Sequence, residues 1–285
     1  MTAIVGFAIV LVTVFGAFAI SGGHLLLVFE PWHEWIIICG AALGGLIVKT
    51  SPRTLKLTWR KIVDVFRSRR PERITYMQVL QLIHDLTFLS RRDGIIALES
   101  HIQEPQASAI FAKYPRVMER PLLVKFLCDN LKIVVIGGVN VADLELLIAA
   151  DIETIQEEIA APQHILANTA DAFPALGIVA AVLGVIRAMS SIAEGPEVVG
   201  TRVAAALVGT FLGVLISYGF VGPLSVNIDM ANQEEIRLLQ IVKAGVMAIA
   251  RGLNPKLSAE YARRAIYEGE RPTFEELEQI LKAGS

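Results

Sequence analysis

The chain has 285 residues, 54% of them hydrophobic, with a formal net charge of −2 and a mean hydropathy of +0.55. Its apolar residues cluster into long runs without Lys, Arg, Asp or Glu, which fits a membrane protein better than one large soluble core. The small net charge excludes a general attraction to nucleic acid, and Cys39 and Cys128 stand too far apart in sequence to suggest a disulfide or zinc framework.

The first apolar segment, Ala3–Ile20, is 18 residues without a charge and reads as a membrane span. It has no basic n-region and no small-x-small cleavage site, so it reads as a retained helix and not a signal peptide. Residues 21–34 form the next loop, closed by Glu30, Pro31, His33 and Glu34, with Trp32 and Trp35 placed as interfacial anchors. The second apolar segment, Trp35–Val48, is short at 14 residues and spans only by recruiting Trp32 and the stem of Lys49. Its Gly40, Gly44 and Gly45 suit close helix packing.

Residues 1–48 carry no Lys or Arg, whereas Lys49, Arg53, Lys56, Arg60, Lys61, Arg67, Arg69 and Arg70 follow at once. The positive-inside rule therefore places that side in the cytoplasm and the 21–34 loop outside. Four spans then bring both termini to the cytoplasmic side. Arg187 and Arg202 fall on the outer side and oppose this assignment, two against eight.

Residues 50–170 read as a cytoplasmic helical insertion. Thr54–Arg67 is a basic helix leaving the membrane surface, and Arg70-Pro71 breaks it. Tyr76–Ser90 has apolar residues at helical spacing, Arg91–Gly94 is a charged turn, and Ile95–His101 follows. Pro105, Pro115 and Pro121 divide the next part into short helices. After Gly137-Gly138, Asn140 is placed as an N-cap, and Leu144, Leu147, Ile148, Ile152, Ile155 and Ile159 make one apolar stripe.

Residues 171–223 form a membrane hairpin: Phe173–Ile186 and Val203–Val221, joined by a polar link around Glu194–Glu197. Residues 224–285 form a helical cytoplasmic tail, running first to Arg251 and closing with a capping box at Thr273–Glu276. The fold class is therefore an all-α membrane protein of four transmembrane helices, with a helical insertion after span 2 and a helical tail.

The Ser, His and Asp residues show no nucleophile elbow, and Gly137-Gly138 lacks the Lys-Ser/Thr of a phosphate loop, so an enzyme is not expected. Glu30 and His33 make at most half a metal site and read more simply as a solvated outer loop. In the hairpin, neither apolar run contains an acid. Thr210 and Ser217 lie seven residues apart, near one helical face, where their hydroxyls suit either a polar ion path or helix-to-helix glue. Gly209 and Gly213, with Ala180 and Gly184, read as close-packing positions. Pro174 near the start of its span and Pro223 just past the next read as punctuation. Arg187, costly inside an apolar run, reads as snorkelling to the outer interface. Asp171 reads equally as a proton exit group and as a solvated or capping residue.

Four motifs in order, RRDGIIALESHIQEP, DAFPALGIVAAVLGVIRA, ALVGTFLGVLISYGFVGPL and ERPTFEELE, together with the early TVFGAF, resemble the A-subunit family of the flagellar motor stator, motility protein A. The resemblance extends over nearly the whole chain. It implies a bacterial inner-membrane protein, several copies of which (a pentamer in the family) surround a dimer of a single-span B subunit. That B subunit supplies the essential aspartate, and the A subunit pushes on the rotor switch protein. By matching position, Pro174 and Pro223 are the prolines linked to torque, Thr210 is the pore-facing hydroxyl, and Arg91 and Glu99 are the charged pair that meets the rotor. Sodium-driven relatives carry a second hydroxyl where this chain has Ala181, so the resemblance implies proton transport, with no bound cofactor. The runner-up is a proton-channel subunit energising outer-membrane transport, with three spans; a non-conducting membrane scaffold is the alternative from another class.

Overall fold

Apolar runs set the first helices, because a segment in lipid must satisfy its backbone polar groups internally. In the computed structural model, which describes residues 2–67 and 70–283, helix α1 covers Thr2–Ile20 and stops at Gly22, whose φ of +83° is left-handed. Arg69 of the basic run lies outside the described residues. A single turn, α2 (Leu26–Phe29), interrupts the outer loop. Helix α3 is Trp32–Lys49 and recruits both Trp32 and Lys49, as its short apolar stretch requires. It starts earlier than expected, however. Pro31 occupies the N-cap position, so Trp32–Glu34 form the first turn and Glu34 belongs to the helix, not to the loop. Helix α4 (Pro52–Arg67) is the basic amphipathic element after it.

The helical unit follows. Helix α5 (Arg73–Asp93) runs through the charged residues expected to form a turn and ends at Gly94, with φ of +89°. A 3-10 turn (Ile95–Leu98) leads into α6 (Glu99–Gln103). Prolines start α7 (Pro115–Met118) and α8 (Pro121–Ile136), since a missing N–H costs little in the first turn. Asn140 then caps α9 (Val141–Met189): its Oδ1 accepts from the Asp143 amide at 2.8 Å.

Helix α9 is 49 residues long and contains Pro162 and Pro174 in its interior. Pro174 is therefore not at a helix start, and Asp171 caps nothing, because the helix is already thirty residues old when it reaches Asp171. Helix α10 (Pro196–Ile216) passes through a π-turn (Ser217–Val221) into α11 (Gly222–Ala250). Pro223 thus sits within a continuing helical path and does not terminate it. Helix α12 (Pro255–Arg264), within the tail expected to be helical, is capped by Asn254 through the Leu257 amide at 2.8 Å. The capping box before α13 (Phe274–Ala283) is present: the Glu276 carboxylate accepts from the Thr273 amide at 2.7 Å, and Thr273 Oγ1 accepts from the Glu276 amide at 3.2 Å.

All regular structure among the described residues is helical, and four helices are long and apolar enough to cross a membrane. The chain divides into two compact units. One comprises residues 1–69 and 159–230, the other 70–158 and 231–285. The second has the larger core, built from Leu80, Ile83 and Leu86 of α5, Leu127 and Leu131 of α8, Ile148 of α9, and Leu239, Val242 and Val246 of α11. There α5 and α11 cross closely: a β-carbon on Gly245 would lie 2.5 Å from Ile83 Cδ1. The first unit has a small core of Val28, Ile38, Ala42, Phe173, Ala180 and Leu212. Its outer surfaces remain apolar, as expected of helices that meet lipid or other chains.

Candidate functional site: the α9–α10 hairpin

Small residues decide how closely two helices approach where lipid removes any hydrophobic drive between them. On α9 the facing positions are Phe173, Gly177, Ala180 and Gly184; on α10 they are Ala206, Gly209 and Gly213. The backbones touch. A β-carbon on Gly177 would lie 2.7 Å from the Gly209 carbonyl, and one on Gly213 would lie 2.5 Å from the Phe173 carbonyl. Farther along, a β-carbon on Gly184 would lie 2.6 Å from Ala206 Cβ. Substituting any of these three glycines would force the helices apart. The link is tight: Gly195 takes φ of +107°, and Pro196 opens α10. Arg202 meets Glu194 across it at 3.1 Å, a largely exposed pair that adds little stability.

This contact brings Ala181 and Thr210 together. The β-carbon position of Gly209 is 3.3 Å from the Ala181 amide nitrogen, and that of Gly177 is 3.3 Å from Thr210 Cα. Both residues are half-buried. Ser217 lies apart from them, buried at the other end of the contact, and its Oγ donates to the Ala170 carbonyl at 2.6 Å. That carbonyl is four residues before Pro174, the residue whose missing N–H would otherwise have bonded it. Ser217 therefore satisfies an acceptor that Pro174 leaves open, a substitution of side chain for backbone that membrane helices use to tolerate proline.

Ser217 also begins the π-turn, in which the Gly222 amide donates to the Ser217 carbonyl. A β-carbon on Gly222 would lie 3.0 Å from that oxygen. Pro223 comes next and is exposed. The other face of this turn packs on α1: Phe7 and Phe220 ring centroids are 5.3 Å apart, and a β-carbon on Gly219 would meet Val10 at 3.2 Å. Asp171 is exposed on α9.

Arg91 and Glu99 lie in the other unit, both exposed. Arg91 lies in the last turn of α5 and makes a long 3.4 Å bond to the Gly252 carbonyl, while Glu99 opens α6 and accepts from Gln103 at 2.9 Å. No group of three or more His, Cys, Asp or Glu among the described residues could hold a metal ion.

One residue of the hairpin's surroundings escaped the sequence reading. Glu34 is buried, and its carboxyl oxygens reach the glycines of both helices: Oε1 lies 3.1 Å from the β-carbon position of Gly184, and Oε2 lies 3.2 Å from that of Gly209. The available signal was its spacing. Glu34, Ile38 and Ala42 follow at intervals of four and share one buried face of α3.

Comparison with known proteins supplies the rest. The family model for the motility protein A N-terminal region matches residues 4–94. The model for the MotA/TolQ/ExbB proton channel family matches residues 117–241. The chain is 36% identical over 283 residues to motility protein A of Salmonella typhimurium, covering 99% of this chain and 96% of that protein. It is 34% identical over 281 residues to the chemotaxis protein LafT of Vibrio parahaemolyticus, covering 99% and 98% of the two. Among solved structures, the fold is similar to C. jejuni MotAB at a TM-score of 0.78 and 18% identity, covering 94% of this chain and 96% of that one. It is also similar to the flagellar MotAB stator complex from Bacillus subtilis at 0.72 and 20%, covering 91% and 93%.

Proposed function

The chain belongs to the motility protein A family, and from that premise we propose how it works as the A subunit of an ion-driven flagellar stator. One observation carries the reading: the identity to motility protein A runs through 99% of this chain, spans and helical unit alike. With a B subunit it forms a proton channel that converts proton-motive force into torque on the rotor. Each charge crossing about 100 mV releases only about 2.3 kcal/mol, so many transfers drive one rotor turn.

Neither apolar run of the hairpin contains an acid, so the main proton carrier is the aspartate of the single-span B subunit. Copies of this chain form a ring around a B dimer, in the bacterial inner membrane, with residues 50–170 and 224–285 and both termini cytoplasmic. The basic residues after α3 support that orientation. Thr210 faces the carrier, beside Ala181, where the absence of a second hydroxyl favours protons over a sodium ion that needs several oxygen ligands. Asp171, exposed on α9, is the exit group. Ser217 holds the proline-bearing end of the hairpin through its bond to the Ala170 carbonyl. Pro174 and Pro223 are the torque-linked positions, in helical paths that continue into the other unit's sequence. Arg91 and Glu99, exposed at the end of α5 and the start of α6, contact the rotor switch protein. The four candidate spans disfavour the three-span outer-membrane-transport reading.

The test is proton influx and swimming when the chain is co-expressed with its B partner. Proton influx is expected through the complex carrying an unplugged B subunit, and no influx would return the chain to a scaffold role. Arg91→Glu and Glu99→Lys should each impair swimming without lowering the membrane level of the chain. Normal torque in both single reversals removes the rotor contact from this scheme.

A further inference from the structure

Glu34 is a buried ionisable group that the scheme above does not use. It sits in the first turn of α3 with 6% of its surface exposed, and its Oε2 has no hydrogen-bond partner among the described residues. The two glycines over which its carboxyl lies come from different helices, Gly184 from α9 and Gly209 from α10. A side chain at either position would take the space the carboxyl occupies. The β-carbon position of Gly209 is also 3.3 Å from the Ala181 amide nitrogen, and Thr210 is the next residue. The carboxyl of α3 thus enters the region that Ala181 and Thr210 border.

A packing role alone does not account for this arrangement. An apolar side chain would fill the space without the cost of burying a carboxyl whose oxygen is left unsatisfied, and ionisable groups in spanning segments mark ion paths and proton relays. The charged and titratable groups around it are few. Arg187 on α9, three residues beyond Gly184, is within electrostatic reach. Arg202 on α10 is engaged by Glu194 at 3.1 Å, and His33 on α3 stacks on Trp32 at 3.7 Å.

We propose that Glu34 is a proton relay of the stator, a second protonatable carboxyl supplied by this chain at the outer end of the path. The proposal rests on the proton-channel reading above. The carboxylate takes a proton from hydronium at the outer mouth: one O–H bond of the hydronium breaks, one forms on the carboxyl, and water is released. The carboxyl then gives that proton to water or to the partner's carboxylate and returns to its starting ionisation state, so no net charge accumulates.

The experiment uses the full chain with an unplugged B subunit in cells lacking both, and follows cytoplasmic pH after external acidification. Glu34→Gln keeps size and hydrogen bonding but cannot titrate, so influx should fall about tenfold or more while the complex still assembles. Glu34→Asp should retain influx with a displaced dependence on external pH. An assembled Glu34→Gln complex that conducts like wild type overturns the proposal. If Glu34→Gln fails to assemble, the Glu34→Asp profile decides: a displaced curve supports the relay, and one superimposed on wild type overturns it. A wild-type complex with no influx overturns the channel reading itself, an outcome distinct from all of these.

Discussion

Ser217 shows how one side chain can carry a structural load that its neighbours create. Pro174 removes the amide that would bond Ala170, and an unpaired carbonyl in an apolar contact costs about 1–3 kcal/mol. The 2.6 Å bond from Ser217 Oγ offsets that cost and ties α9 to the π-turn that leads into Pro223. Ser217→Ala should therefore lower the stability of the purified chain by about 1–3 kcal/mol, read as a drop in thermal midpoint in detergent. The second substitution makes the cause testable. Where Pro174 is replaced by Ala, the Ala170 carbonyl regains a backbone donor, and Ser217→Ala should then cost much less. Equal costs in the two backgrounds would mean that Ser217 does not act through the proline.

At the scale of elements, the hairpin depends on glycine positions, and these separate into those that touch and those that do not. A β-carbon on Gly213 would meet the Phe173 carbonyl at 2.5 Å, whereas one on Gly40 of α3 would meet nothing within 4 Å in this chain. Overpacking a close contact costs about 1–3 kcal/mol. Gly213→Ala should destabilise the detergent-solubilised chain by that order, and Gly40→Ala should leave it unchanged. A Gly213→Ala chain as stable as wild type would show that α9 and α10 are free to separate. What the sequence disclosed follows the same division between local and distant causes. The Asn140 cap, the Thr273–Glu276 box and the span Ala3–Ile20 were legible because neighbouring residues determine them. Pro174 and Pro223 were misplaced at helix ends, since a proline reads as a stop unless another helix, here through Ser217, supplies what it lacks. Glu34 reads as a loop residue for a related reason. A carboxyl beside two Trp and a His looks solvated until the glycines of α9 and α10 are seen to leave room for it.

Across the whole molecule, each of the two units is stabilised by its own chemistry, and acid should affect them differently. The hairpin unit relies on contact between small residues, which does not titrate. The helical unit holds carboxylates whose bonds favour the charged form: Arg73–Glu276 at 2.7 Å and Arg263–Glu260 at 2.6 Å. Among the least exposed is Asp85, which accepts from Tyr114 Oη at 2.8 Å and from Lys113 Nζ at 3.3 Å, beside His84 Nδ1 at 3.3 Å. Burial alone would raise the Asp85 pKa, but the bonds from His84, Tyr114 and Lys113 outweigh it and hold the carboxyl below its ordinary value. A carboxyl with a depressed folded pKa stabilises the fold above its unfolded pKa, near 3.9, and that contribution is lost as pH falls through the lower folded value. The helical unit should therefore weaken below about pH 4 while the hairpin unit holds. The aromatic residues distinguish the two: Trp32, Trp35 and Trp59 all lie in the first unit, and Tyr76, Tyr114, Tyr261 and Tyr267 lie in the second. On acid titration in detergent, amide protection around α5 and α8 should fall while tryptophan emission stays constant. Asp85→Asn should bring that loss to neutral pH in part, with its difference from wild type shrinking as the pH drops below about 4. A difference that stays constant across the titration would exclude Asp85 as its source, and tryptophan emission that changes together with the α5 amides would show that the two units lose structure as one.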